Sequence, residues 1–463
     1  MSPADSSSKA NAIFEPVLLG DTSSRLSGAI YVLLCLIPVF STIVFGGVDQ
    51  GSWVVLIIAL AAVVLLWLAD AWYGRALLLN RSMLLVPLLL LIALGTFQTL
   101  PLFSPDLPAA LVGEPHRTAI SLDPYSTRLF VIRLIGYLVF FSAALTFINN
   151  DKRLRRTVSL IIVFGSLMAF FGILQRLANP DAIYGIRGTP QAIPFGSFVN
   201  QHHFASFMVM VSGVTLAFLF GSDIRRERRL LLGVAAILLG MAAVMTSSRG
   251  GMISLVGTII FVLLATYMSR VSLGKQSEGL RVSQSKTGLA AAGTALIVLV
   301  LGMVMFLGEN NALIRSIGLS GAEDITSGRT HFWKIALRIF LDHPILGAGL
   351  DAFGVAFTRY DTWPGVFRVE QAHNDYLQTL ADAGIIGFAC ICGFIFLVFK
   401  KGLASIANAR EDYHRTAAIG ALAGCFGILI HSFFDFPLRT PANAFFFLTL
   451  VVVAVSHVRR RHS

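Results

Sequence analysis

Residues 229–268 read RLLLGVAAILLGMAAVMTSSRGGMISLVGTIIFVLLATYM. It contains two apolar runs, 229–247 and 250–268, which are separated only by the short polar turn Ser247–Gly251. A helix needs about 20 mostly apolar residues to cross the hydrocarbon core of a bilayer. The stretch therefore predicts two membrane-spanning helices that form a tight hairpin.

The composition of the whole chain agrees with this reading. Of its 463 residues, 56% are hydrophobic and only 13% are charged, whereas soluble domains carry about 25% charged residues. The mean hydropathy is +0.76. The four cysteines, Cys35, Cys390, Cys392 and Cys425, lie in apolar runs without CxxC spacing, which disfavours disulfides and a zinc site. The chain is therefore not a soluble globular protein.

Hydropathy predicts about twelve spans, and hence an all-α, polytopic integral membrane protein with a large loop between helices 9 and 10. The predicted spans are 28–46, 52–70, 82–101, 129–149, 157–178, 203–221, 229–247, 250–268, 288–307, 380–399, 415–434 and 442–457. They form one predicted transmembrane domain, 28–457, between an N-terminal tail, 1–27, and a basic C-terminal tail, 458–463.

The distribution of Lys and Arg predicts the orientation of these spans. Basic residues concentrate in alternate connections, as in Lys152–Arg156, Arg225–Arg229 and Arg459–Arg461, and cytoplasmic loops attract such residues. Both tails are therefore predicted to be cytoplasmic. Because the charges follow topology, the net charge of +11 does not indicate a nucleic-acid partner.

Two segments on the predicted outer side are long. One runs from Phe103 to Arg128, and the other covers about 308–379, far longer than a usual helix connection. Within the second, Thr330–Asp342 is predicted to form an amphipathic helix on or near the membrane surface. Its predicted apolar side consists of Phe332, Trp333, Ala336, Leu337, Ile339 and Phe340.

Polar side chains gather at the predicted outer ends of the spans, and span centres hold no Asp, Glu, Lys or Arg. Transporters and pumps usually need ionisable groups near mid-membrane, so the pattern disfavours a transporter. A cationic cluster at headgroup depth suits an anionic lipid headgroup such as a diphosphate. The outer set is Arg133, Arg176, His202, His203, Arg249, Arg329, His373, His431 and Asp435.

Most of these residues also have a purely structural interpretation. Arg133 and Arg176 could anchor helix ends by snorkelling, His202 and His203 could be interfacial polar residues, and His431 could bond a neighbouring helix. Arg249 is harder to explain in this way. The positive-inside rule disfavours Arg in a short outer turn, and two glycines follow it directly.

The clearest local motif runs from His373 to Gly387 and reads HNDYLQTLADAGIIG. His373, Leu377, Leu380, Gly384 and Gly387 share one stripe if the segment is helical. The glycines would then let a neighbouring helix approach closely. His373 would lie at or near the start of the helix, where the dipole favours neutral imidazole that can accept a proton.

This motif resembles His-Asn-x9-Gly-x-x-Gly of the O-antigen ligase and polymerase superfamily, a group of bacterial membrane glycosyltransferases. Ser248–Gly251 is similar to the Ser-Arg-Gly-Gly turn of that superfamily. Gly328–Thr330 with Trp333, followed by Asp342–Gly349, resembles the helix that opens its large periplasmic loop.

A further element, Phe198–Ala205, resembles Phe-x-Asn-x-Asn-His-x-Ala, with His202 in place of the usual Asn. Asp382 stands where many members carry Glu. The matching elements run from about Phe198 to Pro441.

The resemblance implies a GT-C-like, inverting and metal-independent glycosyltransferase without a cofactor in the bacterial inner membrane. Its partners would be an undecaprenyl-diphosphate-linked glycan, an acceptor such as the lipid A core, and membrane lipids. The implied catalytic base is His373, and Arg249 and Arg329 would hold the diphosphate. Possible supporting residues are Arg133, Arg176, Asn200, His203, Asn374 and Asp382.

Several functions stay open at this point. A ligase would move a finished glycan onto the lipid A core, and a polymerase would join repeat units of O-antigen or exopolysaccharide on the lipid carrier. The complete His-Asn-x9-Gly-x-x-Gly pattern favours the ligase. A protein O-glycosyltransferase and a non-enzymatic glycolipid transporter are the lesser alternatives.

Overall fold

The computed structural model describes residues 24–102, 119–189, 192–221, 225–276, 328–363 and 368–456. These residues form a bundle of helices with one small β-hairpin, β1 (Ala182–Ile183) and β2 (Arg187–Gly188). The helices are α1 Arg25–Ile43, α2 Gln50–Gly74, α3 Leu85–Gln98, α4 Pro124–Phe147, α5 Asp151–Ala178, α6 Gln201–Phe220, α7 Arg226–Met245, α8 Arg249–Gln276, α9 Arg329–Asp342, α10 Phe353–Thr358, α11 Asp375–Asn408, α12 Asp412–His431 and α13 Pro441–Val455.

Among the described residues, nine helices are long and apolar enough to cross a membrane, and α3 and α13 are shorter apolar helices. Together they coincide with every predicted span except the ninth, 288–307, which lies outside the described residues. The prediction of an all-α, multi-pass membrane protein is therefore confirmed. The count of twelve and the domain boundaries stay predictions.

Helix α6 lies at the centre of the bundle, with nearly all of its residues buried. It packs closely against α12 through glycines: a Cβ added at Gly213 would lie 2.5 Å from the backbone nitrogen of Gly424 and 2.9 Å from the carbonyl oxygen of Gly420. In lipid, small residues at a helix interface let backbones approach and maximise dispersion contact. This glycine contact holds the middle of α6 against the middle of α12.

The predicted hairpin exists as α7 and α8, joined by Thr246–Ser248. The turn is shorter than predicted, because Arg249 is the first residue of α8 rather than part of the turn. The Oγ of Ser248 accepts a hydrogen bond from the backbone N–H of Gly251 at 3.1 Å. Serine is a favoured N-cap, which explains why the helix begins immediately after it.

The predicted amphipathic helix forms as α9, beginning at Arg329 instead of Thr330. Its buried side consists of Ile335, Ala336 and Ile339, which pack with residues of α10 and α11. Leu337, predicted on the apolar side, is 47% exposed. Residues 335, 336 and 339 share one face at 3.6 residues per turn, and 337 points away from it.

Helix α11 is interrupted at Gly384, which has φ 61° and ψ −164°. The non-helical residues 344–350 fill the break: Ala348 N–H donates to the carbonyl of Ala381 at 2.8 Å, and Ile385 N–H donates to the carbonyl of Pro344 at 2.8 Å. A Cβ at Gly384 would lie 2.4 Å from the Ile345 carbonyl oxygen. The prediction of one continuous helical stripe is therefore wrong at Gly384, which accommodates the backbone of the turn at residues 345–347 instead of a neighbouring helix.

The side chain of Gln98, at the end of α3, braces the same break. Its Nε2 donates to the carbonyl of Asp382 at 3.0 Å, and its Oε1 accepts from the backbone N–H of Leu350 at 3.0 Å. Broken helices in membrane proteins need such partners, because unpaired backbone groups are costly away from water. The part of α11 that precedes the break, Asp375–Ala383, is therefore a short helical segment whose end is hydrogen-bonded to Gln98. We call the end of the bundle at which α6, α8 and α11 begin the site end.

The glycine contact between α6 and α12 makes a stability prediction. Gly213→Ala should lower the free energy of unfolding by about 1–3 kcal/mol, because the added methyl group meets backbone atoms that cannot rotate away. The thermal midpoint of purified protein in detergent measures this. Gly240→Ala in α7 is the matched control, since a Cβ there has nothing within 4 Å. Equal midpoints for the two variants would contradict the packing described.

Candidate functional site

One buried carboxylate, Asp435, connects three residues of the predicted site. Asp435 follows α12 and is 1% exposed. Its Oδ1 lies 3.2 Å from Nδ1 of His373, and its Oδ2 lies 3.5 Å from an Nη atom of Arg329. The Nε2 of His203 is 3.8 Å from Oδ1, beyond hydrogen-bonding distance. Residues that are far apart in sequence are thus gathered around a single anion.

The electrostatics of the cluster keep this carboxylate charged. Burial alone would raise the pKa of Asp435, but the imidazoles of His203 and His373 outweigh that effect and hold the pKa well below its ordinary value. The backbone N–H of Phe436 also donates to Oδ1 at 2.9 Å. Asp435 is therefore an acceptor for its neighbours throughout the neutral range.

His373 lies immediately before α11 in a left-handed backbone conformation, with φ 51°. Its ring packs edge-to-face against Phe436, with centroids 4.9 Å apart, and its side chain is 29% exposed. A carboxylate at Nδ1 favours the tautomer in which Nδ1 carries the proton. The other ring nitrogen, Nε2, is then left as a proton acceptor.

The two asparagines of the motifs cap helices. Asn374 Oδ1 accepts from the backbone N–H groups of Tyr376 and Leu377, both at 3.0 Å, and its Nδ2 donates to the carbonyl of Phe433 at 3.1 Å. Asn200 Oδ1 accepts from His202 N–H at 2.8 Å. Both asparagines thereby fix where a helix begins, and Asn374 ties α11 to the segment that carries Asp435.

His203 is held on its other side as well. Its Nδ1 lies 2.7 Å from the Thr440 hydroxyl, and its carbonyl accepts from Asn443 Nδ2 at 3.0 Å. Thr440 directly precedes α13, and Asn443 lies in its first turn. The start of α13 therefore fixes the His203 ring next to Asp435. His203 is 6% exposed, so it is a buried neighbour of the anion rather than a surface group.

Arg249 reaches the same region through the α7–α8 turn. A Cβ at the next residue, Gly250, would lie 2.8 Å from Cβ of Phe434 and 3.3 Å from the ring of His431. The start of α8 therefore packs directly on the segment that leads from α12 to Asp435. His431 itself is fully buried, and neither of its ring nitrogens has a hydrogen-bond partner among the described residues.

Four helices begin around Asp435, namely α6, α8, α9 and α11. The N-terminus of a helix carries about half a positive charge and points backbone N–H groups outward. Together with Arg249 and Arg329, these termini place several positive or partly positive groups around Asp435. Such an arrangement suits a ligand with several negative charges.

A second charged network lies next to this cluster. Arg439 donates to Asp351 at 2.7 Å and to Asp382 at 2.6 Å. Arg133 lies 3.9 Å from Asp351 and 5.6 Å from the centroid of the Trp53 ring. The structure thus groups the predicted supporting residues Arg133 and Asp382 with Arg439 instead of with Asp435.

Arg176 stands apart from both networks. It lies in the last turn of α5 and lines a groove of about 500 Å³ together with Asp181, Thr189 and Ile193, beside the β-hairpin. Its described neighbours do not include Asp435 or Arg439. A supporting role for Arg176 stays a prediction.

Sequence reasoning grouped Asp435 with the other predicted outer residues but gave it no role, and it assigned no role in the site to Arg439 or Gln98. Arg439 had a usable signal, because it is a basic residue in a short loop predicted to be outside. Arg249 was identified by the same signal, an arginine where the positive-inside rule disfavours one. Gln98 had none, since its partners are backbone atoms about 250 residues away.

Among the described residues, one group of three side chains is close enough to hold a metal ion: Asp151, Glu411 and His414. It lies at the opposite end of the bundle, where α5 and α12 begin. Arg155 already donates to Asp151 at 2.7 Å and to Glu411 at 3.2 Å. These contacts explain the group as an ion-pair network between two helix starts.

A comparison with protein families adds to this geometry. The family model described as O-antigen ligase matches residues 234–392. This part of the chain is similar to the O-antigen ligase family. No curated protein matches the chain.

The family match covers about a third of the chain and includes Arg249, Arg329 and His373. It confirms the resemblance to the O-antigen ligase and polymerase superfamily, and it supports a function of ligase or polymerase type in general. Asp435 and Arg439 follow the matched segment, and His203 precedes it. The site therefore combines matched residues with others that the fold brings to them.

The pKa of Asp435 leads to a prediction about stability. Asp435→Asn should lower the free energy of unfolding by about 1–3 kcal/mol at pH 7, because hydrogen bonds to a buried charge are lost. A carboxyl whose pKa is depressed on folding stabilises the protein above its unfolded pKa of about 4, and this stabilisation disappears as the pH falls through the folded value. The difference from wild type should therefore shrink on acidification.

Thermal midpoints between pH 7 and about pH 3.5 measure this difference. Asp181→Asn is the control, because that exposed carboxylate at the same end should give a midpoint close to wild type. A gap between wild type and Asp435→Asn that grows on acidification would contradict the assignment of Asp435 as the central anion.

Proposed function

We propose that the protein is an O-antigen ligase-like glycosyltransferase. It transfers a glycan from an undecaprenyl-diphosphate donor to a sugar hydroxyl of the lipid A core at the periplasmic face of the bacterial inner membrane. The observation that carries this proposal is the pairing of His373 and Arg329 with the buried carboxylate of Asp435, next to the start of α8. A base and a cation thus lie together where several helices begin.

In this reaction His373 is the general base. Its Nε2 takes the proton of the acceptor hydroxyl while the hydroxyl oxygen attacks the anomeric carbon. Asp435, bonded to Nδ1, orients the ring and stabilises the imidazolium that forms. The bond from the anomeric carbon to the diphosphate oxygen breaks, and the configuration inverts. The proton on His373 then passes to the departed diphosphate or to water.

Arg249 and Arg329 bind the diphosphate as negative charge develops on it. A guanidinium has five N–H donors and a permanent charge, so Arg329 retains donors for phosphate while one Nη lies 3.5 Å from Asp435. The N-termini of α8 and α9 add partial positive charge at the same place. These groups supply the electrostatic stabilisation of the leaving group.

This set of donors supports a metal-independent mechanism. Two arginines and two helix termini can offset the charge of a leaving diphosphate without a divalent ion. Among the described residues, the three side chains that are spaced for a metal lie at the other end of the bundle. We therefore assign no step to a metal.

The distribution of charge supports the periplasmic location. Arg153 and Arg155 begin α5, Arg225–Arg229 lie at or next to the start of α7, and Arg415 lies in α12 near its start. All of these are at the end opposite the site end. By the positive-inside rule this end faces the cytoplasm, which directs the site end outward.

Substitution of the proposed residues should abolish transfer. His373→Ala should lower kcat by about 10²- to 10⁴-fold because the base is lost. Arg249→Ala and Arg329→Ala should each lower it by about 10²- to 10³-fold, since one stabilising charge is lost from the leaving group. The measurement is turnover of lipid-linked glycan and acceptor by purified protein.

Two variants serve as matched controls for this experiment. Arg338→Ala removes an exposed arginine from the helix that carries Arg329, and His414→Ala removes a histidine at the opposite end. Both should retain turnover within about twofold. Normal activity in His373→Ala would remove the base assignment, and strong dependence on a divalent metal would contradict the mechanism.

A deletion strain separates ligase from polymerase, the alternative on the same donor. A ligase predicts that long glycan disappears from lipid A while lipid-linked polymer accumulates, because polymerisation continues without transfer. Electrophoresis of lipopolysaccharide and extraction of lipid-linked glycan test this. Single-repeat products or loss of secreted polymer would instead indicate a polymerase, and modified proteins that lose their glycan would indicate protein O-glycosylation.

A further inference from the structure

A tryptophan next to the cluster has no role in the mechanism above. Trp363 follows α10 in the outer loop, and 48% of its surface is exposed. The ring of His331 stacks on one face of the indole, with centroids 4.2 Å apart and an interplanar angle of 4°. Since one face is covered, the exposure comes mainly from the other face and the ring edge.

The stack is fixed by a third residue. The Nε2 of His331 lies 2.9 Å from Oδ1 of Asp361, and the backbone N–H of Trp363 donates to the same oxygen at 3.0 Å. The hydrogen bond with His331 lowers the pKa of Asp361 from its ordinary value. One carboxylate therefore orients the His331 ring and fixes the backbone of Trp363, and the stacked His331 ring holds the indole in place.

The position of the indole relative to the proposed machinery is specific. Gly328, which directly precedes Arg329, has φ 84°, and a Cβ there would lie 3.1 Å from the Trp363 ring. Phe332 is the second link: its ring centroid lies 5.9 Å from that of Trp363 and 6.1 Å from that of His373. Gly328 thus separates the indole from Arg329, which is proposed to bind the diphosphate. Phe332 separates the indole from His373, the proposed base.

Exposed aromatic side chains are common when they are scattered singly. Trp363 differs because it is stacked, hydrogen-bonded through its backbone and adjacent to a charged cluster. A pyranose ring has one face lined by C–H groups, and the electron-rich face of an indole attracts such groups. A held indole beside a phosphate site therefore matches a ligand in which a sugar is attached directly to a diphosphate.

We propose that Trp363 is the platform on which a pyranose ring of the lipid-linked donor stacks, adjacent to the diphosphate held by Arg249 and Arg329. This inference rests on the proposed function and names the donor sugar as the group that the loop recognises. His331 and Asp361 position the indole, and they are positioning residues rather than catalytic ones.

Tryptophan fluorescence tests the proposal without turnover. The probes are undecaprenyl-diphospho-N-acetylglucosamine and undecaprenyl diphosphate without sugar, added to purified protein in nanodiscs. The sugar-bearing lipid should change the emission of wild type, and Trp363→Phe should abolish that change while binding persists, because phenylalanine still stacks. Binding by Trp363→Phe is followed by competition with a labelled lipid.

Affinities separate stacking from a general structural role. Trp363→Ala should weaken binding of the sugar-bearing lipid by about fivefold to tenfold and leave binding of undecaprenyl diphosphate unchanged. Trp72→Ala is the matched control, because it removes an 83% exposed tryptophan at the end of α2, at the opposite end of the bundle. This variant should bind both lipids as wild type does. His331→Ala should reproduce part of the loss, because it releases the indole.

Each other outcome overturns the inference. Equal weakening of both lipids in Trp363→Ala would mean that the residue only supports the loop, and no weakening would mean that the sugar lies elsewhere. If free oligosaccharide competes and the lipid-linked sugar does not, the platform belongs to the acceptor. A wild type that binds neither lipid refutes the proposed function itself, whereas one that binds both equally refutes only the platform.

Discussion

A carboxylate removed from water is costly unless positive or hydrogen-bonding groups surround it. Asp435 meets this requirement by drawing in an imidazole from the start of α11 and a guanidinium from the start of α9, with a second imidazole from α6 close by. None of these elements is adjacent to another in sequence. The need to compensate one anion therefore determines where the starts of α6, α9 and α11 meet, and it also fixes which nitrogen of His373 is left as the proton acceptor.

The membrane helices could be predicted from sequence because hydropathy is a local property. A run of apolar residues signals a span regardless of its neighbours, and the ends of α7 and α8 are further marked by Ser248 and the glycines. His373, Arg249 and Arg329 were predicted because each lies in a short contiguous motif. In these cases the information is contained within a few adjacent residues.

Other features depend on partners that lie far away in the chain. The role of Asp435 requires contact with His373, 62 residues earlier, and Arg439 bonds Asp351 from a distance of 88 residues. The break in α11 was not predicted because Asp375–Gly387 has the local pattern of a helix. The backbone of residues 344–350, placed against it by tertiary structure, supplies the hydrogen bonds that make the interruption at Gly384 favourable. Single-sequence reasoning has no access to such pairings.

The backbone hydrogen bonds between residues 344–350 and α11 determine which sequence changes this segment tolerates. They join the end of α9 to the first segment of α11 through peptide groups, so the spacing between Arg329 and His373 does not depend on which side chains residues 344–346 carry. The site can therefore accommodate changes of composition in this segment. It is sensitive instead to changes of length, because one inserted residue would shift every hydrogen bond out of register and separate the guanidinium from the imidazole.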